Sequence, residues 1–134
     1  MGQRPRQDLV ARAQRFSVRL LRLVDVLLRD PYFSRRVTEQ LAAAGTAIGN
    51  NLSEAQSSLT RPQMIQVFTT ALREAREAKH CLDTVRDLRK GDPVEIAWLH
   101  AEADQFAAIL FTSLRSLRNP PGDAPSPARR RRRT

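Results

Sequence analysis

Apolar residues recur every three or four positions through four separate stretches of this chain, the spacing of helices that each bury one face. In the first, Leu9, Ala13, Phe16, Leu20, Leu23, Val24 and Leu27 form a broad apolar stripe, widened by Leu21 and Leu28, and the helix is expected over residues 8–29. Pro31 disfavours helical geometry at Asp30 and cannot donate to the turn before it, so Asp30-Pro31-Tyr32-Phe33 ends that helix. Ser34 offers an N-cap to a second helix over residues 34–57. Thr60, Pro62 and Gln63 then read as a capping box with proline in the first turn, opening a third helix over 61–90 with core positions Ile65, Phe68, Leu72, Ala75, Leu82 and Val85. Gly91 closes it, and Asp92-Pro93-Val94-Glu95 starts a fourth helix over 93–118 that buries Leu99, Ala103, Phe106, Leu110, Leu114 and Leu117. Links of this length reach only an antiparallel neighbour, so the expected fold is all-α, an up-down-up-down antiparallel four-helix bundle without strands. Residues 1–7 are expected to be a flexible N-terminus, 8–119 the bundle, and 120–134 a disordered tail rich in proline and arginine.

The second helix departs from the others. From Ala42 to Glu54 it reads AAAGTAIGNNLSE, where small side chains outnumber large ones. With about 100° per residue, Val37, Leu41, Ala44, Leu52 and Ala55 share a face with Ile48, whereas Ala43, Ala47, Asn50 and Glu54 gather on a separate flank. Two contact faces imply two kinds of neighbour. The first fills the chain's own core and the second touches another helix or another subunit. If the alanines were merely solvent-facing helix formers, the two glycines would each cost about 1 kcal/mol against alanine for nothing.

Charge changes this picture more than composition does. The 134 residues carry a net charge of +9, and residues 129–133 are five consecutive arginines. Residues 1–119 still hold 18 basic against 13 acidic groups. A basic folded part makes RNA or DNA a reasonable partner and an acidic protein a weaker one. On the first helix Arg12, Arg15, Arg19 and Arg22 follow one another at three- and four-residue spacing, a stripe that could track a phosphate backbone or equally serve as the ordinary wet face of an amphipathic helix. Arg129, Arg130, Arg131, Arg132 and Arg133 are the second candidate contact, or else a solubilising tail.

No constellation for catalysis is legible. His80, Cys81 and His100 have no metal-ligand spacing, and there is no phosphate loop, dinucleotide fingerprint or nucleophile elbow. No cofactor is expected. Glu74 and Glu77 lie beside Arg73 and Arg76, which favours ionised surface groups, with Arg73 and Glu77 able to pair. A lone cysteine suits a reducing compartment. The start MGQRPRQD lacks the apolar core of a signal peptide and no run approaches a membrane span, so a soluble, cytoplasmic protein is expected.

Two motifs carry a resemblance. G-T-A-I-G-N-N-L-S-E-A at Gly45 to Ala55, followed by F-x-x-x-L-x-E-A-x-E-x-x-x-x-L from Phe68 to Leu82, resembles the bacterial 23S ribosomal RNA intervening-sequence proteins. The accessory variability-determinant proteins of diversity-generating retroelements share that bundle. The likeness covers about residues 14–118, and the matching positions are Gly45, Ile48, Gly49, Asn51, Glu54, Phe68, Leu72, Glu74 and Glu77. Ala47 stands where the family often has serine, and His80-Cys81 where it often has an aromatic pair. The resemblance implies a ring-like homopentamer with a basic surface that binds nucleic acid, with a reverse transcriptase as partner in the retroelement members. Ala43, Ala47, Asn50, Asn51 and Glu54 are the expected subunit interface, either bridging to a neighbour or, for Asn51 and Glu54, bonding within the same bundle.

Overall fold

The computed structural model describes residues 4–120 and 122. Four helices, α1 Arg4–Leu28, α2 Arg35–Glu54, α3 Arg61–Asp87 and α4 Pro93–Arg118, form a four-helix bundle, with no strand among the described residues. The caps explain three of the starts. Ser34 Oγ accepts from the Val37 amide, and Asp92 Oδ1 accepts from the Val94 amide. At Thr60 both halves of the capping box form: the Gln63 amide donates to Thr60 Oγ1 at 3.3 Å, and the Thr60 amide donates to Gln63 Oε1 at 2.9 Å.

Several boundaries differ from expectation. Helix α1 opens at Arg4 rather than Asp8, with Pro5 in its first turn, where the missing amide proton costs nothing. Of the expected flexible N-terminus only residues 1–3 lie outside the described residues, and of the expected tail residues 121 and 123–134 do. Helix α3 stops at Asp87 because Arg89 takes a left-handed φ of 56°, and the Lys90 amide folds back to donate to the Val85 carbonyl. Helix α2 ends at Glu54, where tighter turn bonds take over, as from Gln56 to Ser53.

A main core runs through the bundle, with a smaller cluster of Ala55, Met64 and Val67 beside it. Ala13, Phe16, Leu20, Leu41, Ile48, Leu82, Leu99 and Phe106 are buried completely. Phe16 of α1 and Phe106 of α4 meet edge to face with centroids 5.6 Å apart. Leu21 and Leu28, expected to widen the apolar face of α1, are instead 40% and 48% exposed. On α3 the buried set differs from expectation: Ile65 and Phe68 are only half-buried, as is Leu117 on α4, whereas Met64, Val67, Ala71, Ala78 and Cys81 join the buried residues, because α2 and α4 cover α3 from two sides. Helices α1 and α4 approach each other least closely of the adjoining pairs, and long side chains rather than close backbones bridge their seam.

The small residues of α2 explain its fit to α1. A Cβ on Gly45 would fall 2.7 Å from Leu20 Cδ2, well inside van der Waals contact. Ser17, buried on α1, donates to the Gly45 carbonyl at 3.1 Å, a bond that needs this close approach.

Candidate nucleic-acid interface

Two of the four stripe arginines are engaged within the chain. Arg12 Nε and Nη2 donate to the two carboxylate oxygens of Glu102 on α4 at 2.8 and 2.6 Å, and Nη2 also donates to Gln105. Its guanidinium lies 5.4 Å from the centroid of the Phe106 ring. Two turns of α1 further on, the arrangement recurs. Arg19 forks onto Glu95 at 2.8 and 2.7 Å and stacks 3.5 Å from the Trp98 centroid. The charge-assisted bond to Glu102 raises the pKa of Arg12, and that to Glu95 raises the pKa of Arg19. Reciprocally, the bond from Arg19 holds the Glu95 carboxyl below its ordinary range.

Arg15 and Arg22 are exposed, and neither makes an ion pair among the described residues. The stripe thus divides by heptad position: Arg12 and Arg19 turn toward α4, while Arg15 and Arg22 turn to solvent. Arg129 to Arg133 lie outside the described residues.

On α2, Ala43, Asn50 and Glu54 are exposed and Ala47 and Asn51 half-buried. Asn51 Nδ2 donates to the Ala47 carbonyl one turn back at 2.8 Å, which occupies one amide hydrogen and leaves Oδ1 without a partner among the described residues. The glycines lie on the flank of α2 that meets α1, apart from Ala43, Ala47 and Glu54.

Two openings flank this surface. The larger, 670 Å³, lies between the start of α1 and the end of α4, floored by Leu9, Phe68, Ile109 and Leu117 and bordered by Arg12 and Arg15. The second, 470 Å³, sits at the α1–α2 corner against Leu27, Phe33 and Thr38, with Arg29 and Arg35 in its lining.

Glu74 corrects the expectation of an ordinary surface acid. It is half-buried, and burial, seconded by the charge of Glu77, raises its pKa, while Arg73 opposes the shift. Burial likewise pushes up the Cys81 thiol. His100 Nε2 sits 2.8 Å from Asp83 Oδ1, but the angle between them falls short of a hydrogen bond. Among the described residues no three His, Cys, Asp or Glu side chains gather as metal ligands would, and no helix is long and apolar enough to cross a membrane.

Sequence reasoning missed the acids that meet the stripe, Glu95 and Glu102, together with Trp98. Their seven-residue spacing matches that of Arg12 and Arg19, a signal usable only once α1 and α4 are known to adjoin.

No curated protein matches this chain. Among solved structures, it is similar to a protein of unknown function from the S23 ribosomal protein family of Bacteroides thetaiotaomicron VPI-5482. The TM-score is 0.72 at 21% identity, over 79% of this chain and 97% of that one. That likeness concerns the fold. The family described as 23S rRNA-intervening sequence protein matches residues 7–112, and with most of its length inside that match the chain belongs to this family.

Proposed function

We propose that the protein is a non-catalytic, basic, homo-oligomeric four-helix bundle that binds nucleic acid, RNA before DNA, in the cytoplasm. The observation that carries this reading is the exposed positive charge of α1, where Arg15 and Arg22 face solvent and make no contact ion pair among the described residues. The family name supports RNA as the setting. The up-down antiparallel course of the chain is supported by its contacts, since partner numbers fall on α4 as they rise on α1, Arg12 with Glu102 and Arg19 with Glu95. A ring assembly, five-fold by the resemblance, would multiply the charge of residues 1–119 to on the order of +25 and hold a polyanion at low salt with weak sequence preference. Ala43, Ala47, Asn50, Asn51 and Glu54 form its subunit interface, and Arg129 to Arg133 add contacts from the tail.

The test is a titration of structured RNA into the isolated protein at two salt concentrations. Saturable binding that weakens steeply with salt supports the reading. Absence of binding unless a partner protein is added favours a second reading, a protein-binding scaffold or accessory subunit of a reverse transcriptase. The mainly apolar 670 Å³ opening and the exposed Phe111 favour that alternative.

A further inference from the structure

The α1–α2 corner holds a cluster that the stripe on α1 does not account for. Tyr32, the single tyrosine, is 92% exposed at the tip of the turn. Its amide donates to Asp30 Oδ1 at 2.9 Å, and Asp30 Oδ2 accepts from Lys90 Nζ at 2.8 Å, so the turn is tied both to itself and to the α3–α4 loop. The ring is therefore displayed on a fixed backbone. Its sequence neighbours Pro31 and Phe33 line the 470 Å³ opening together with Arg29 and Arg35.

Cations outnumber acids here, although the exposed acids Asp25 and Glu39 lie one turn from Arg29 and Arg35. Arg29, Arg35 and Arg36 are all exposed and make no ion pair among the described residues. Glu39, one turn beyond Arg35, pairs with neither Arg35 nor Arg36, and Asp30, the acid of the lining, is already neutralised by Lys90. An exposed aromatic face beside three uncommitted guanidiniums is the chemistry that receives a single-stranded nucleotide: the ring stacks on a base, which every base permits, and the arginines meet the flanking phosphates.

We propose that this corner is a landing site for single-stranded nucleic acid, with a base stacked on Tyr32 and the adjoining phosphates held by Arg29, Arg35 and Arg36. The proposal rests on the nucleic-acid reading above and moves the contact from the side of the bundle to one end of it. Duplex ends or bulges satisfy it only where a base is unstacked, so the site prefers unpaired strands.

The full chain is titrated with a short fluorescein-labelled oligouridylate, an oligothymidylate of equal length and a self-complementary duplex. The expected result is tighter binding of the single strands, weakened at least roughly fivefold by Tyr32→Ala and restored by Tyr32→Phe. Circular dichroism and melting should be unchanged in both variants, since the ring is almost wholly in solvent. Arg35→Gln with Arg36→Gln should lower the slope of log affinity against log salt by about one for each phosphate no longer held. Equal affinity for the uridylate and thymidylate assigns the site to single strands of either sugar; a preference for uridylate assigns it to RNA. Wild-type binding that Tyr32→Ala leaves intact and Arg15→Ala with Arg22→Ala abolishes overturns the corner while the broader reading stands. Binding of none of the three probes overturns the corner, and the broader reading falls with it if structured RNA also fails to bind.

Discussion

Alanine at Gly49 should stabilise the protein and alanine at Gly45 should not, although the two glycines lie four residues apart on the same helix. Both substitutions remove the backbone freedom of glycine within α2, a gain of about 1 kcal/mol for the helix. At Gly49 the new methyl would stand 3.7 Å from Ala13 Cβ and 3.8 Å from Ser17 Oγ, ordinary contact, so the gain survives. At Gly45 the methyl would overlap the Leu20 side chain. Leu20 is fully buried and closely surrounded, so its methyls cannot swing aside without displacing the core. Overpacking of that kind costs about 1–3 kcal/mol, which cancels or outweighs the helix gain. The expected separation between the variants is thus about 1–3 kcal/mol, or several degrees in melting temperature for a chain of this size. Urea denaturation followed by circular dichroism at a fixed protein concentration measures it. In Leu20→Ala, where room exists, adding Gly45→Ala should become favourable, a coupling that a double-mutant cycle isolates. Equal stabilisation by the two single substitutions would refute the claim that Gly45 is small because Leu20 needs the space.

Other expectations follow from the seam and the corner. Arg12→Ala should cost about 1 kcal/mol of stability, because its partner Glu102 has a side chain only 13% exposed, while Arg15→Ala should leave melting unchanged and weaken RNA retention more than Arg12→Ala does. In the folded chain Glu95 has its pKa depressed by Arg19, so the stability it contributes is present above its ordinary value of about 4.5 and is lost as pH falls through the folded value. Glu95→Gln should therefore flatten the acid limb of a melting-temperature profile. Glu74 has the opposite sign: its raised pKa means that the folded state holds the proton more readily, so it costs stability at neutral pH and less as pH falls. Accordingly Glu74→Gln should raise the melting temperature at neutral pH more than under acid conditions. Arg35 opens α2, where the helix dipole disfavours a cation, so Arg35→Glu should stabilise the protein by about 0.3–1 kcal/mol while weakening binding of single-stranded RNA.

Three of the four helix starts were legible because capping is local chemistry, while the start of α1, which the sequence put at Asp8, falls four residues earlier at Arg4. Thr60 with Gln63, and Asp92 with Pro93, contain within four residues every group their motifs use, and the structure forms each bond. Helix ends were less legible. The end of α3 turns on Arg89 taking a left-handed φ, which arginine rarely signals, and the expected stop at Gly91 lies four residues past the observed one. Periodicity found the α1 stripe from Ala13 to Leu27 but could not set its width. Leu21 and Leu28 fall on its edge, where exposure depends on how closely α2 approaches. The engagement of Arg12 and Arg19 was invisible for another reason: Glu102 and Glu95 are 90 and 76 residues away, and only the adjacency of α1 and α4 brings them within bonding distance.

That engagement changes what the α1 charge can do. An arginine that spends two donors on a carboxylate and its face on an aromatic ring carries no net charge to spare for a polyanion at its own position, since its partner's negative charge travels with it. The net charge of residues 1–119 therefore concentrates on residues outside the seam, with Arg15 and Arg22 along the side and Arg29, Arg35 and Arg36 at the corner. Arg22, Arg29 and Arg36 continue the seven-residue interval from Arg15, but the turn at Pro31 bends that line off the helix axis and around the end of the bundle. A strand lying along the α1 side thus meets Arg15, Arg22, Arg29 and Arg36 in turn, with the exposed acid Asp25 between the second and third. Reversing charge at Arg22, between the two groups, should weaken binding of longer single strands more than of short ones. A decrease of equal size for both lengths would mean that the side and the corner act as separate sites.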